Sequence, residues 1–287
     1  MNRRPGTLYV VATPIGHPED ITLRAIRVLG EVGLVAAEDT RSAARLLASH
    51  GIGTPLVSCH EHNERDRVEM LLDRLRDGES LALVSEAGTP SVSDPGFPLV
   101  RAATEAGISV VPVPGPSAAM AALSVSGLPT DAFAFVGFPP RKPTARRTAL
   151  ESLESLSFTL IFYESPHRIA ALLADLLRVL GDRDAVLGRE MTKPHEEFLR
   201  GPLSEIAAAL ETRNAVKGEC TLLVAGASGD GTSEIDLRGM VARAMERPGA
   251  TVSGVSRDIA RQYGLPKKRV YAEALKFRES EDANEQS

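Results

Sequence analysis

Residues 81–96 read LALVSEAGTPSVSDPG. Four apolar residues run without a break and stop at Ser85. Seven of the twelve residues 85–96 are Ser, Gly or Pro. A short apolar run bounded by turn residues is the pattern of a strand buried on both faces. The bare backbone after it is the pattern of a turn that something approaches closely. A helical pattern follows from residue 98. Strand, open turn, helix is the repeating unit of an α/β sheet.

The unit recurs along the chain. Strand patterns lie at 7–12, 34–37, 110–113, 133–137, 159–163, 185–188 and 221–225. Helical patterns lie at 21–29, 40–50, 64–76, 98–106, 117–124, 167–180 and 203–212. Leu71, Leu72 and Leu75 make one apolar stripe with charge around it. Ser165-Pro166 has the form of a helix N-cap followed by proline. The pattern restarts after Pro114-Gly115-Pro116. It breaks again at ASGDGTS (227–233), which has the composition of a flexible linker. These breaks divide the chain into an N-terminal α/β domain (1–114), a second α/β domain (115–228) and a C-terminal module (234–287). The final ESEDANEQS is acidic and polar, a composition that predicts disorder.

The 287 residues are 43% hydrophobic and 25% charged, the balance of a soluble globular protein. Net charge is −5, so nucleic-acid binding would have to come from a local basic patch. Aromatic residues are 4% with no tryptophan, so stacking surfaces do not dominate. Cys59 and Cys220 form no CxxC pair and fit a reducing cytosol. No Cys/His spacing suggests a metal. In HEHNE (60–64), His60 and His62 fall on opposite sides of an extended segment, which argues against a shared metal. The N-terminal apolar run is too short for a signal peptide or a membrane span. A cytoplasmic protein is expected.

Three turns share the character of the opening stretch. Thr13-Pro14-Ile15-Gly16-His17 follows the first strand, Gly88-Thr89-Pro90-Ser91 the third, and Pro114-Gly115-Pro116-Ser117 the fourth. Ligands of open α/β sheets bind beyond the carboxyl ends of the strands. Three such turns suggest a sizeable ligand held by main chain; each alone is also ordinary turn chemistry. None matches GxGxxG after a strand or GxxxxGK[ST], which weakens dinucleotide and nucleoside-triphosphate readings.

Read in order, LYVVATPIGHPEDIT (8–22), AAEDTR (36–41), SEAGTPSVSDPG (85–96), PVPGPSA (112–118), GFPPRK (137–142), FYESPHRI (162–169), GREMTKPHEE (188–197) and KGECTLLV (217–224) form a resemblance over residues 7–278. The chain resembles the ribosomal RNA small subunit methyltransferase I family of the tetrapyrrole-methylase superfamily. That resemblance implies two α/β domains with S-adenosylmethionine in the cleft between them, and a homodimer. It implies methylation of a cytidine ribose 2′-OH in the decoding region of small-subunit (16S) rRNA, free or in the assembled subunit. Two motifs depart from the family's usual TPIGN and SDAGTP: His17 replaces an amide, and Glu86 lengthens a carboxylate arm.

By the same resemblance, Pro14, Ile15, Gly88, Ser91, Val92, Ser117, Ala118, Tyr163, Met191 and Gly218 are expected near the cofactor. Glu86 either accepts hydrogen bonds from it or caps a nearby N–H. Transfer to a ribose hydroxyl needs in-line positioning and is helped by a base or a charge-stabilising group. Glu164, Arg189, Glu190 and Lys193 are the catalytic candidates; an ordinary ion pair is the competing reading for Arg189 and Glu190. Arg141, Lys142, Arg146 and Arg147 make a basic cluster, read as a mobile arm that grips RNA phosphate or as a solvated linker. Residues 254–278 carry seven Lys/Arg against two Asp/Glu in an acidic chain. They have the form of a helix–turn–helix, with Lys267, Lys268 and Arg269 at the start of its second helix, and suit docking onto RNA or packing on the body.

Two other functions compete. A precorrin-type tetrapyrrole methyltransferase would share the cofactor fold but has no use for a basic tail. A non-catalytic RNA-binding module would keep the tail and lose the cofactor.

Overall fold

A computed structural model describes residues 4–213, 215–227, 237–245, 250–263 and 267–284. The chain gathers into two compact units, 1–226 and 227–287.

The first unit contains two five-stranded sheets. In the first, β1 (Thr7–Val11), β2 (Leu34–Ala37), β3 (Leu56–Ser58), β4 (Leu81–Val84) and β5 (Ser109–Val113) lie in the order β3-β2-β4-β1-β5. Every pair is parallel. Parallel strands need crossovers. Helices α1 (Leu23–Glu31), α2 (Thr40–Ser49), α3 (Glu64–Arg76) and α4 (Phe97–Glu105) supply them. β2 and β4 are buried along their whole length, which is why they read as unbroken apolar runs. Leu8, Leu34, Leu81 and Leu83 pack with Leu71, Leu75 and Leu99 of α3 and α4. Val11, Val35, Ala82 and Val84 pack on the other face with Ala25, Val28 and Leu47 of α1 and α2. Two caps fix where helices start. Thr22 accepts from Ala25 N–H at the head of α1, and Asp39 accepts from Arg41 and Ser42 N–H at the head of α2.

The chain then crosses through α5 (Ala118–Ser126) into the second sheet. Its strands are β6 (Phe133–Gly137), β7 (Thr159–Glu164), β8 (Asp184–Arg189), β9 (Glu197–Pro202) and β10 (Cys220–Val224), in the order β6-β7-β10-β8-β9. β6 and β7 are parallel; the other pairs are antiparallel. Helices α7 (Ile169–Leu180) and α8 (Leu203–Glu211) cover one face, with Leu172, Leu176 and Ile206 against Leu160, Phe162 and Leu222. The other face presents Ile161, Val186 and Leu223 to Ala119, Ala122 and Leu123 of α5, and to Ile15 from the turn after β1. That apolar cluster brings the first sheet's turns against the second sheet.

The basic cluster expected as a mobile arm is instead the start of helix α6 (Pro143–Glu151). Arg146 is 4% exposed, and its guanidinium donates to Asp175 Oδ2 of α7 at 2.7 Å. Arg147 donates to Asp175 Oδ1 at 2.7 Å. A buried cation already neutralised by a carboxylate has no charge left for a phosphate, so Arg146 is corrected to a structural residue. Arg141 and Lys142 remain exposed ahead of the helix.

The second unit packs α9 (Leu237–Met245), α10 (Val252–Tyr263) and α11 (Lys267–Asn284) around Val241, Val255, Ile259, Val270 and Ala274. Among the described residues there are three helices where the sequence pattern gave two. α11 runs to Asn284, through most of the tail expected to be disordered. Lys267 and Lys268 are exposed at its start. The Arg269 side chain, residues 228–233 of the expected linker and the turn at 264–266 lie outside the described residues. Among the described residues no helix is long and apolar enough to cross a membrane.

Candidate functional site

The turns after β1, β4 and β5 are hydrogen-bonded to one another. Thr13 N–H donates to Gly88 O at 2.8 Å, and Gly88 N–H returns a bond to Thr13 O at 3.0 Å. Thr89 Oγ1 donates to Pro116 O at 3.2 Å. Gly88 has φ 78°, a left-handed conformation that glycine adopts without strain. The segment after it is held in place from outside, where Gly96 N–H donates to Glu64 Oε2 at 2.9 Å. His60 and His62, just before Glu64, sit in a turn rather than a strand, their rings edge to face at 6.0 Å.

These turns form one wall of a cavity of about 370 Å³. The second sheet forms the other wall. β10 runs antiparallel to β7 with Cys220 opposite Glu164 and Thr221 opposite Tyr163. The end of one strand and the start of the other therefore meet on the same side. Antiparallel pairing joins the FYES and KGEC motifs, which lie more than fifty residues apart in the chain.

Eight of the expected residues line this cavity: Ile15, Glu86, Gly88, Val92, Ser117, Ala118, Tyr163 and Glu164. Tyr163 is fixed by accepting the Ala119 N–H at 3.0 Å and by edge-to-face contacts with Phe135 and Phe138. Burial pushes its phenol up, against a hydrogen bond from Ala119. Glu164 is 2% exposed. Its Oε1 accepts the Ser165 N–H at 2.7 Å, and its Oε2 lies 3.0 Å from Arg168 Nη2. That second oxygen makes an ion pair but has no aligned hydrogen bond. Ser165 lines the cavity and does not cap α7, which begins at Ile169 with Arg168 at its N-cap.

Other expected residues lie elsewhere. Pro14 lines a neighbouring cavity. Ser91 has φ 68°, and its buried Oγ has no hydrogen-bond partner. It faces inward, close enough that a Cβ on Gly96 would stand 3.0 Å from that oxygen. Met191 is buried in the apolar cluster between α5 and the second sheet. Gly218, with φ 87°, makes room for the Glu190 side chain, which would stand 2.3 Å from a Cβ there. Arg189 spends its N–H groups on Glu197, Lys217 O and His195 O. Lys193 Nζ donates to Glu190 Oε1 and Glu219 Oε2, both at 3.0 Å. Burial raises the Glu190 carboxyl, but the Glu219 N–H and Lys193 outweigh it and hold the group below its usual value. Arg189, Glu190 and Lys193 thus form a braced ion-pair network and are not among the residues that line the cavity, which Lys193 reaches only through Glu219.

Sequence reasoning missed three acids in that wall: Glu38, Asp94 and Glu219. Glu38 Oε2 accepts the Glu86 N–H at 3.0 Å, across the ends of the adjacent strands β2 and β4. Asp94 is half-buried. Burial, then the charges of Glu38 and Glu86, push its carboxyl up to about 7, against a hydrogen bond from Ser85. With Glu86 and Glu164, five carboxylates line the cavity, and among the described residues no Lys, Arg or His lines it, although Arg168 and Lys193 pair with Glu164 and Glu219 from behind the wall. Such a wall favours a cation and repels phosphate.

The sequence matches the family described as Tetrapyrrole (Corrin/Porphyrin) Methylases over residues 7–207. It is 52% identical over 269 residues to Ribosomal RNA small subunit methyltransferase I of Micromonospora olivasterospora, covering 93% of this chain and 85% of that one. It is 54% identical over 223 residues to the protein of the same name from Pseudomonas aeruginosa, covering 77% and 79%. Among solved structures, Uroporphyrin-III C-methyl transferase from Thermus thermophilus, complexed with S-adenyl homocysteine, superposes with a TM-score of 0.53 at 24% identity. That match covers 76% of this chain and 97% of the other, a likeness of fold.

Proposed function

Since the chain belongs to the tetrapyrrole methylase family, and within it to the ribosomal RNA small subunit methyltransferases I, we propose that it methylates the 2′-OH of a cytidine ribose in the decoding region of 16S rRNA. The chain is an S-adenosylmethionine-dependent rRNA methyltransferase; the nucleotide and the atom are the proposal.

The observation that carries the cofactor assignment is the five-carboxylate cavity. S-adenosylmethionine supplies, when bound, a methyl group on a positively charged sulfur. Glu38 and Glu86, joined by Asp94 as pH rises through about 7, set a negative field for that charge. Gly88 and Ala118 leave backbone close to the ligand. The residues present therefore fit the group. Bound there, S-adenosylmethionine would supply the methyl carbon and keep the S–C electron pair on sulfur, and a carboxylate of the wall would take the proton that the ribose hydroxyl gives up. Catalysis here is mainly positioning, because the donor arrives activated.

The phosphates must be held outside so acidic a cavity. Arg141, Lys142 and the half-exposed Arg147, with Lys267, Lys268 and Arg269 of α11, are the proposed RNA contacts. The reading includes a cytoplasmic homodimer.

The test is transfer of labelled methyl from S-adenosylmethionine to unmodified small ribosomal subunits and to naked rRNA, mapped by nuclease digestion and mass spectrometry. Label on a decoding-region cytidine ribose is expected, and the better substrate identifies the assembly state. Label on a base, or on neither substrate, contradicts the proposal.

A further inference from the structure

A second cavity, of about 500 Å³, adjoins the first. The turn after β1 is the wall between them. Ile15 lines the carboxylate cavity, while Pro14 and Gly16 on either side of it line the second. Glu86 lines both. The second cavity is floored by Val35 and Val84 of the first sheet and by Leu29 and Leu47 of α1 and α2. Its rim is polar: Ser42, Arg45 and Ser49 stand along α2. Arg45 is exposed and its Nη2 donates to Ser42 Oγ at 3.2 Å, which folds the guanidinium over the rim.

The two cavities differ in charge. The first has five carboxylates and no cation among its lining residues; the second has Arg45 and Glu86. A ribose that accepts a methyl group must come within bonding reach of the donor while its phosphates stay out of the carboxylate field. The second cavity meets both needs. It touches the first at Glu86, its volume of about 500 Å³ has room for a nucleoside, and its cation stands at the rim where a phosphate would cross.

We infer that this α1/α2 cavity is the acceptor subsite, receiving one nucleoside turned out of the RNA, with its phosphate at Arg45. The inference rests on the methyltransferase reading above.

The test uses the full chain, unmodified small ribosomal subunits and S-adenosylmethionine. Ser42→Trp fills the cavity beside Arg45. Its kcat/KM for subunits is expected to fall roughly 100-fold, as a misplaced acceptor would. Its affinity for S-adenosylmethionine by calorimetry stays within about twofold. Ser49→Trp covers the same cavity from an exposed position and guards against a folding defect in the first variant. Arg45→Glu raises KM by about tenfold with kcat little changed, and Arg45→Lys restores most of it. Loss of cofactor affinity in the Trp variants would assign the cavity to the donor and overturn the inference. So would unchanged subunit kinetics in both. Absence of transfer by the unsubstituted protein would instead defeat the methyltransferase proposal itself.

Discussion

Two turns in this molecule are built alike and do different things. The segment 85–96 after β4 holds Ser91 and Ser93 at φ 68° and 64°; the segment 189–194 after β8 holds Glu190 and Thr192 at 51° and 65°. All four are non-glycine residues in the left-handed region, each costing about 1 kcal/mol or more unless the surroundings hold it. The first turn is poor in charge and lines a cavity with backbone and two acids. The second is rich in charge and braces the turn after β1. Thr192 Oγ1 accepts the His17 N–H at 2.9 Å, and a Cβ on Gly16 would stand 2.6 Å from both Thr192 Oγ1 and Lys193 Cγ. Acid and base residues crowded into one motif here neutralise one another. The plain motif is the one with unsatisfied electrostatics.

The largest effect expected from this contrast is at Gly88. Gly88→Trp puts a large side chain at φ 78°, where a Cβ already stands 3.5 Å from Ile15 Cγ2. Its affinity for S-adenosylmethionine is expected to fall by at least about 100-fold, while the melting transition stays cooperative. Unchanged affinity by calorimetry would take the first turn out of the site.

A smaller effect is expected at Asp94. Because its carboxyl titrates near 7, affinity for the cationic donor should rise as pH climbs through that value. Asp94→Asn should lose about tenfold in affinity at pH 8 and flatten the pH profile. Stability carries the opposite sign. The folded protein holds a proton that the unfolded carboxyl, at 3.8, releases earlier, so this group lowers the stability of the ligand-free protein as pH rises from about 4 to 7. The same substitution should remove that slope. A slope and an affinity profile identical to the unsubstituted protein would show that Asp94 does not face the ligand.

The parallel sheet was readable because buried parallel strands announce themselves as apolar runs between helices. β3 was missed: three half-buried residues are too few to show a period. β9, EFLRGP, was missed because it is an edge strand carrying charge, Gly and Pro, as edges tend to. α6 was mistaken for an arm because its arginines look solvated until Asp175 of α7, about thirty residues away, is placed beside them. The same limit governs the site. Gly88, Tyr163 and Glu164 belong to motifs that declare themselves locally. Glu38 and Glu219 join the cavity only through the β2–β4 and β7–β10 pairings, which no single stretch encodes. A clue to Asp94 was present: an acid inside SDPG, a turn made almost wholly of small residues.

The smallest effects are expected in the bracing turn. Thr192→Val removes the hydrogen bond from His17 N–H in the turn after β1 and should cost about 1 kcal/mol of stability by denaturant titration, with donor affinity down no more than about threefold. Lys193→Met should cost about 1 kcal/mol, since it unpairs the largely buried Glu190 as well as the exposed Glu219, and leave kcat near that of the unsubstituted protein. A collapse of kcat at Lys193→Met with donor binding intact would break the comparison and return that turn to the chemistry.

The most direct measurement is a crystal structure with S-adenosylmethionine bound. The predicted result is density in the carboxylate cavity, with the sulfonium beside Glu86 and Asp94 and the ligand lying along the backbone at Gly88. Density in the α1/α2 cavity, or beside Arg189 and Lys193, would contradict the account.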